Sequence, residues 1–382
     1  MQAERVRHVG QVAQSWIDNG THSALVLLAA RRGVVVLHQA FGNITPEPDA
    51  LPLTTDALFY IASMSKTITA TCIMSLVEEG RVGLNRPVME YVPEFTGEGK
   101  ESVLIHHLLT HTSGLDDDAV GTYLRTRIAE GSVPPLDAWE QNWPPDPFLQ
   151  ALRFSAALEA PLCRAPGELM SYCSFGYNIL GEVAVRASKM SLAELSRERV
   201  FVPLGMHDTF REMSDDACWA RVVRRGPGAP GYPWLDSRER LPAHNPSGNI
   251  WSTAMDQAIL GQTFLNGGAY GEARMLSPAS AAAMTRDQIP GVAAVFGPER
   301  FQSAGWGLGW GVQLDKKAVN WPSLTSAEAF CTGGAGGVLM WIDPAYDLLA
   351  VYFSVVNRGV QRELREWNID KFVNMLVGAI TD

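Results

Sequence analysis

Strand-like runs in this chain cluster at its two ends. Near the start, "SALVLLAARRGVVVLHQAFG" places two apolar runs on either side of Arg31-Arg32-Gly33, the pattern of a β-hairpin whose strands are largely buried. Beyond Gly305 the pattern returns in "GWGLGWGVQL", "AFCTGG", "GVLMWID" and "LLAVYFSVV", the last two joined by the turn "DPAYD". From about residue 85 to 290 the spacing is mostly helical, with long irregular connections. An isolated hairpin is only marginally stable, so the terminal runs need one another. The simplest packing is one antiparallel sheet built from both chain ends, with a mostly helical domain inserted. The fold class expected is therefore α/β, of the α+β type. Residues 1–57 and 298–382 form the sheet domain and 58–297 the helical one. "MQAERVRHVGQVAQSWIDNG" and "RELREWNIDKFVNMLVGAI" read as amphipathic helices flanking the sheet.

Composition narrows the function. With 382 residues, 46% of them hydrophobic, the chain can bury a sizeable core. A net charge of −10 and the lack of any Lys/Arg block make nucleic acid and anionic membrane poor partners. A small organic substrate fits better. Five cysteines, Cys72, Cys163, Cys173, Cys218 and Cys331, are far apart, odd in number and unpaired by any CxxC, which argues against a disulfide framework or a zinc site. The first apolar run begins only at Ser23 and is too short to span a bilayer. These features predict a cytoplasmic protein.

Candidate chemistry begins in "YIASMSKTITATCIMSLVEEG", residues 60 to 80. Ile68, Cys72 and Leu76 form an i, i+4 stripe beside Ile73 and Val77, and Gly80 stands where a helix C′ glycine belongs. Ser63 and Lys66 lie one turn apart at the helix head. Two readings compete: polar residues at a helix start, or a serine nucleophile beside a lysine base able to accept its proton once desolvated. The helix N-terminus would supply N–H groups suited to an oxyanion. "PGELMSYCSFGYNILGE" offers Tyr172 as a proton carrier to the leaving group, with Ser174 two residues on; the bland alternative is a half-buried loop tyrosine.

Taken together these segments resemble the penicillin-recognising serine hydrolases, the group of class C β-lactamases, family VIII carboxylesterases, D-aminopeptidases and related amidases. Ser63-Met64-Ser65-Lys66 resembles their S-x-x-K. "HLLTHTSGL" (His107 to Leu115), "PGELMSYCSFGYNILG", "NIWSTAMDQAILGQTFLNGG" and "GWGLGWGV" are similar to family phrases, in family order, from about residue 10 to 375. The resemblance implies a β-lactamase-like fold with its active site between the two domains, and no metal or cofactor. It implies Ser63 as nucleophile, with Lys66 and Tyr172 sharing the acid–base work. The second motif departs from Y-x-N: it reads Tyr172-Cys173-Ser174, and Ser174 lacks the amide that helps hold substrate and lysine. The third motif should fall in "AFCTGGAGGVLMWIDP". It places Thr332 where the family has Lys or His, then Gly333 and Gly334, with the N–H of Ala335 joining that of Ser63 in the oxyanion hole. A glycine-rich turn between strands reads the same segment almost as well.

The expected function is a serine hydrolase acting on small carboxylic esters or amides through an acyl-enzyme. A β-lactamase or D-amino-acid peptidase of the same fold is the alternative, and a catalytically silent ligand- or partner-binding relative belongs to another class. Rival signals are weaker. His107 and His111 have i, i+4 spacing, but no H-E-x-x-H glutamate accompanies them. "GWGLGWG" is a loose G-x-G-x-x-G with no helix after it, and no G-x-S-x-G occurs. The connection from Asp116 to Phe148, with Trp139, Trp143 and Phe148, reads as a packed pocket-forming loop. Trp143, Trp251 and Trp306 could shape an acyl pocket, with core packing the stronger expectation for each.

Overall fold

The computed structural model describes residues 1–47, 49–132, 154–213, 216–229, 245–296, 299–316 and 321–382. In chain order its principal elements are α1 (Ala3–Asp18), β1 (His22–Arg31), β2 (Val34–Gly42), α2 (Ser65–Glu78), α3 (Asp117–Ala129), α4 (Ser174–Ser188), α5 (Ala254–Leu265), β3 (Gly311–Val312), β4 (Phe330–Gly334), β5 (Val338–Asp343), β6 (Leu348–Val356) and α6 (Arg362–Gly378). Arg32 and Gly33, both left-handed at φ 52 and 73, turn β1 into β2 as a two-residue hairpin requires. The six strands form one antiparallel sheet in the order β3-β4-β5-β6-β1-β2. The two ends of the chain meet where β1 pairs with β6, Leu28 opposite Val351.

Both faces of the central strands are buried, which explains why they read as continuous apolar runs. On β1, Ala24, Val26 and Leu28 face the large core shared with α2 and α5, while Leu25, Leu27 and Ala29 face a second core with Trp16 of α1 and Phe372 and Leu376 of α6. On β6 the same alternation sends Val351 and Phe353 one way and Ala350 and Tyr352 the other. Helix α5 lies close on the sheet because Gly261 leaves room: a Cβ there would stand 2.9 Å from Met340 Sδ.

Three local expectations change. The stretch 116–148 is not irregular at its start, since α3 occupies Asp117–Ala129 with the Asp116 side chain accepting from the N–H groups of Asp118 and Ala119; Trp139, Trp143 and Phe148 lie outside the described residues. "GWGLGWGVQL" contributes only Gly311–Val312 as strand, because Gly305 and Gly309 adopt φ 53 and 89 and break the run. The middle of the chain also carries short strands: Met170–Ser171, Ala294–Phe296 and Glu299–Phe301 form a small sheet. All five cysteines are free. Among the described residues no helix is long and apolar enough to cross a membrane.

Candidate active site

A short 3-10 turn, Ala62–Met64, precedes α2 and presents Ser63 at its centre. Ala62 sits at φ 45, a left-handed conformation that non-glycine residues rarely adopt. Lys66, one turn on and buried, donates from Nζ to Ser63 Oγ at 2.9 Å and to the backbone carbonyl of Ser247 at 3.0 Å. The same Nζ lies 4.9 Å from the centre of the Tyr172 ring and 5.9 Å from that of Tyr177. The structure thus gathers Ser63, Lys66 and Tyr172. Ser65 points elsewhere, its hydroxyl buried and without a hydrogen-bond partner among the described residues.

The carbonyl of Ser247 carries no signal in the sequence, since any residue supplies one. What places it is a buried cation. Arg211 donates to Thr69 Oγ1 and Ser196 Oγ, both at 2.8 Å, and reaches the carbonyls of Asn245 and Gly248 at 3.5 and 3.4 Å. Thr69 in turn donates to the carbonyl of Pro246. Among the described residues no carboxylate pairs with Arg211, and burial pushes its pKa down to about 10. This cation fixes the 245–248 turn against α2, and with it the acceptor for Lys66.

Tyr172 is half-buried in an aromatic surround. His111 lies 4.4 Å from its ring centre, exposed Phe296 5.3 Å and Trp306 6.1 Å. Trp251 is fully buried against Tyr60 and packs the core, whereas Trp306 borders the site; Trp143 is not among the described residues. Ser174 opens α4, with its backbone N–H held by the Asp117 carboxylate at 2.8 Å. The negative charge at that helix N-terminus suits the helix dipole, and the N–H contact anchors the residue through its main chain.

The third segment arrives beside the serine on β4, an edge-side strand whose Gly334 packs on the 3-10 turn. A Cβ on Gly334 would stand 2.3 Å from the Ile61 carbonyl and 3.1 Å from Ala62 Cβ. Thr332 is buried and pairs with Met340, Gly333 is exposed, and Ala335 is exposed in the turn to β5. His107 and His111 do not form a metal pair: the short helix Ile105–Leu109 stops before His111, and His111 at φ 58 turns away from the helical face. Among the described residues no cluster of His, Cys, Asp and Glu could hold a metal.

Backbone strain concentrates here. Three of the left-handed non-glycine residues are Ala62 beside Ser63, His111 beneath Tyr172 and Asn249 after the Ser247 turn. Such conformations persist where surrounding contacts over-determine them, and they collect at functional sites.

The profile of the family described as Beta-lactamase matches residues 11–373. Protein Rv1367c of Mycobacterium tuberculosis is 32% identical over 344 residues, covering 79% of this chain and 78% of its own. Esterase EstB of Burkholderia gladioli is 36% identical over 191 residues, 48% of this chain and 45% of its own. Among solved structures, a family VIII carboxylesterase superposes with a TM-score of 0.72 at 21% identity, over 97% of this chain and 96% of that one. The chain belongs to the Beta-lactamase family of serine hydrolases, and it has that family's fold.

Proposed function

We propose that the protein hydrolyses small, neutral carboxylic esters or amides through an acyl-enzyme on Ser63. The observation that carries this reading is the contact of Lys66 Nζ with Ser63 Oγ at 2.9 Å, beside the Tyr172 ring. Ser63 Oγ attacks the substrate carbonyl carbon while its proton passes to Lys66 in its amine form. The N–H groups of Ser63 and Ala335 hold the resulting oxyanion. As the tetrahedral intermediate collapses, the bond to the leaving alcohol or amine breaks, Tyr172 delivers the proton that the departing atom needs, and Lys66 passes the Ser63 proton on to Tyr172, returning to its amine form. Water then attacks the acyl carbon, gives its proton back through the same pair, and frees the acid and Ser63. The site lies where the segments 1–57 and 298–382 meet 58–297, a division that the packing of Gly334 against Ala62 supports.

Substrate preference follows from the residues bordering the serine. Thr332 offers a neutral hydroxyl where the resembling enzymes place a basic residue, and Ser174 replaces an amide. A charge-assisted hydrogen bond to a substrate carboxylate contributes roughly 1.5–3 kcal/mol, so its loss lowers kcat/KM by about one to two orders of magnitude. Exposed Phe296 against Tyr172 favours apolar groups at the leaving side. The similarity to an esterase points the same way. Short neutral esters, nitrocefin, penicillins and D-amino-acid amides, assayed side by side, test this. The expected result is clear turnover of the esters, weak or no turnover of the penicillins, and partial gain of β-lactam hydrolysis in Thr332→Lys. Penicillin hydrolysis faster than ester hydrolysis overturns the assignment.

A further inference from the structure

His111 meets three consecutive residues of the Tyr172 segment. Its carbonyl accepts from the Ser171 N–H at 2.9 Å, its ring stacks on the Tyr172 ring at 4.4 Å and 32°, and its Nδ1 accepts from the Cys173 N–H at 3.1 Å. The left-handed φ of 58 at His111 makes this possible, because it swings the residue back under residues 171–173 instead of continuing the preceding helix. An N–H pointing at Nδ1 leaves the ring proton on Nε2. Nε2 has no hydrogen-bond partner among the described residues. Burial, with the Lys66 charge adding to it, holds the imidazole well below its ordinary pKa, so the ring is neutral. A neutral ring beside Lys66 does not repel the charge that the lysine gains on taking the Ser63 proton. A phenylalanine would fill the same space, but only an acceptor at Nδ1 satisfies the Cys173 N–H.

We propose that His111 is a positioning residue for Tyr172, clamping its backbone on both sides and its ring from beneath so that the phenol stays beside Lys66. The inference rests on the reading of Tyr172 as the proton carrier. It predicts a defect confined to proton delivery rather than a general loss of structure.

Two esters of one acid separate these cases: an ethyl ester, whose alkoxide needs a proton to leave, and a nitrophenyl ester, whose phenolate does not. Their kcat/KM values report acylation alone. For Tyr172→Phe the expected loss is at least about tenfold greater on the ethyl ester, the lower range for a positioned acid. His111→Asn tolerates the left-handed backbone and keeps a polar acceptor but removes the ring. It should show the same bias towards loss on the ethyl ester, with a melting temperature near that of the parent. The double variant should be no worse than Tyr172→Phe, because residues acting as a unit are not additive. His111→Phe keeps a ring but no acceptor and is read in the same way, so it decides the question if His111→Asn fails to fold. Equal losses on both esters, adding to those of Tyr172→Phe, would overturn the inference and leave His111 as packing. A Tyr172→Phe variant with no bias between the esters overturns the reading of Tyr172 itself and this inference with it. Bias in Tyr172→Phe but none in the His111 variants overturns this inference alone.

Discussion

At the scale of single residues, Ser63 and Ser65 provide a matched control. They share one turn, yet Ser63 accepts from Lys66 and the buried Ser65 hydroxyl has no partner among the described residues. Removing a hydroxyl that makes no hydrogen bond leaves nothing newly unsatisfied. Ser65→Ala is therefore expected to keep most of the activity and stability, whereas Ser63→Ala abolishes turnover of every ester in a steady-state assay. Tyr172→Phe should lower kcat by about 10²-fold while its circular dichroism stays that of the parent; an unchanged rate would redirect attention to Tyr177, whose ring also faces Lys66. What the sequence made legible at this scale was chemistry with a local signature: S-x-x-K at helical spacing, and a tyrosine just before an apolar helix. His111 was visible only as half of a weak metal-like spacing with His107, set aside for want of a glutamate; its contact with Tyr172 depends on a helix that stops at Leu109, which that spacing does not reveal. Ser247 was not legible, because its contribution is a carbonyl.

At the scale of elements, the site depends on how closely β4 approaches the turn that carries Ser63. Gly334 is the point of contact, and a methyl group there collides with the Ile61 carbonyl at 2.3 Å. Backbone atoms cannot rotate away as a side chain tip can, so the strand or the turn must shift. Gly334→Ala is expected to lower kcat/KM by about 10²-fold, the effect of roughly 1 Å misplacement at a reacting centre, with a smaller fall in melting temperature. Near-parental activity would show that β4 does not border the reaction. Helix α3 illustrates why some elements escape a reading by periodicity. Its buried residues are only Val120 and Leu124, too few for a stripe. Its start was nevertheless marked by the run of three aspartates, of which Asp116 is the N-cap, an established helix-start signal. The sheet strands were legible because they are long, apolar and rich in β-branched residues, whereas two-residue strands such as Gly311–Val312 follow from tertiary context alone.

At the scale of the whole molecule, the two ends of the chain are one structure. His22 of β1 lies in the joint between them, its Nε2 2.6 Å from the Tyr352 hydroxyl of β6 and its ring 6.0 Å from that of Trp16. Burial, with a contribution from Arg365, lowers its pKa from 6.5 to about 4. Between those values the unfolded chain binds a proton that the folded chain refuses. The stabilisation from a neutral His22 is therefore complete above pH 6.5 and is lost as the pH falls to about 4, a change of about 3 kcal/mol at 1.36 kcal/mol per unit. Asp370 on α6, raised by burial to about 6, acts in the opposite sense over the acid part of that window, so the contribution of His22 has to be isolated by difference. Urea unfolding of the parent and His22→Gln at a series of pH values should show the stability difference between them shrinking towards acid. A constant difference would mean that His22 titrates alike in both states.

In the proposed reaction every step passes through a covalent intermediate on Ser63. Intact mass and peptide mapping after reaction with a fluorophosphonate test it most directly, because the reagent needs an activated serine and records which one. A single adduct is expected, located on Ser63, absent in Ser63→Ala and present in Ser65→Ala. An adduct on any other serine, or full ester turnover in Ser63→Ala, would contradict it.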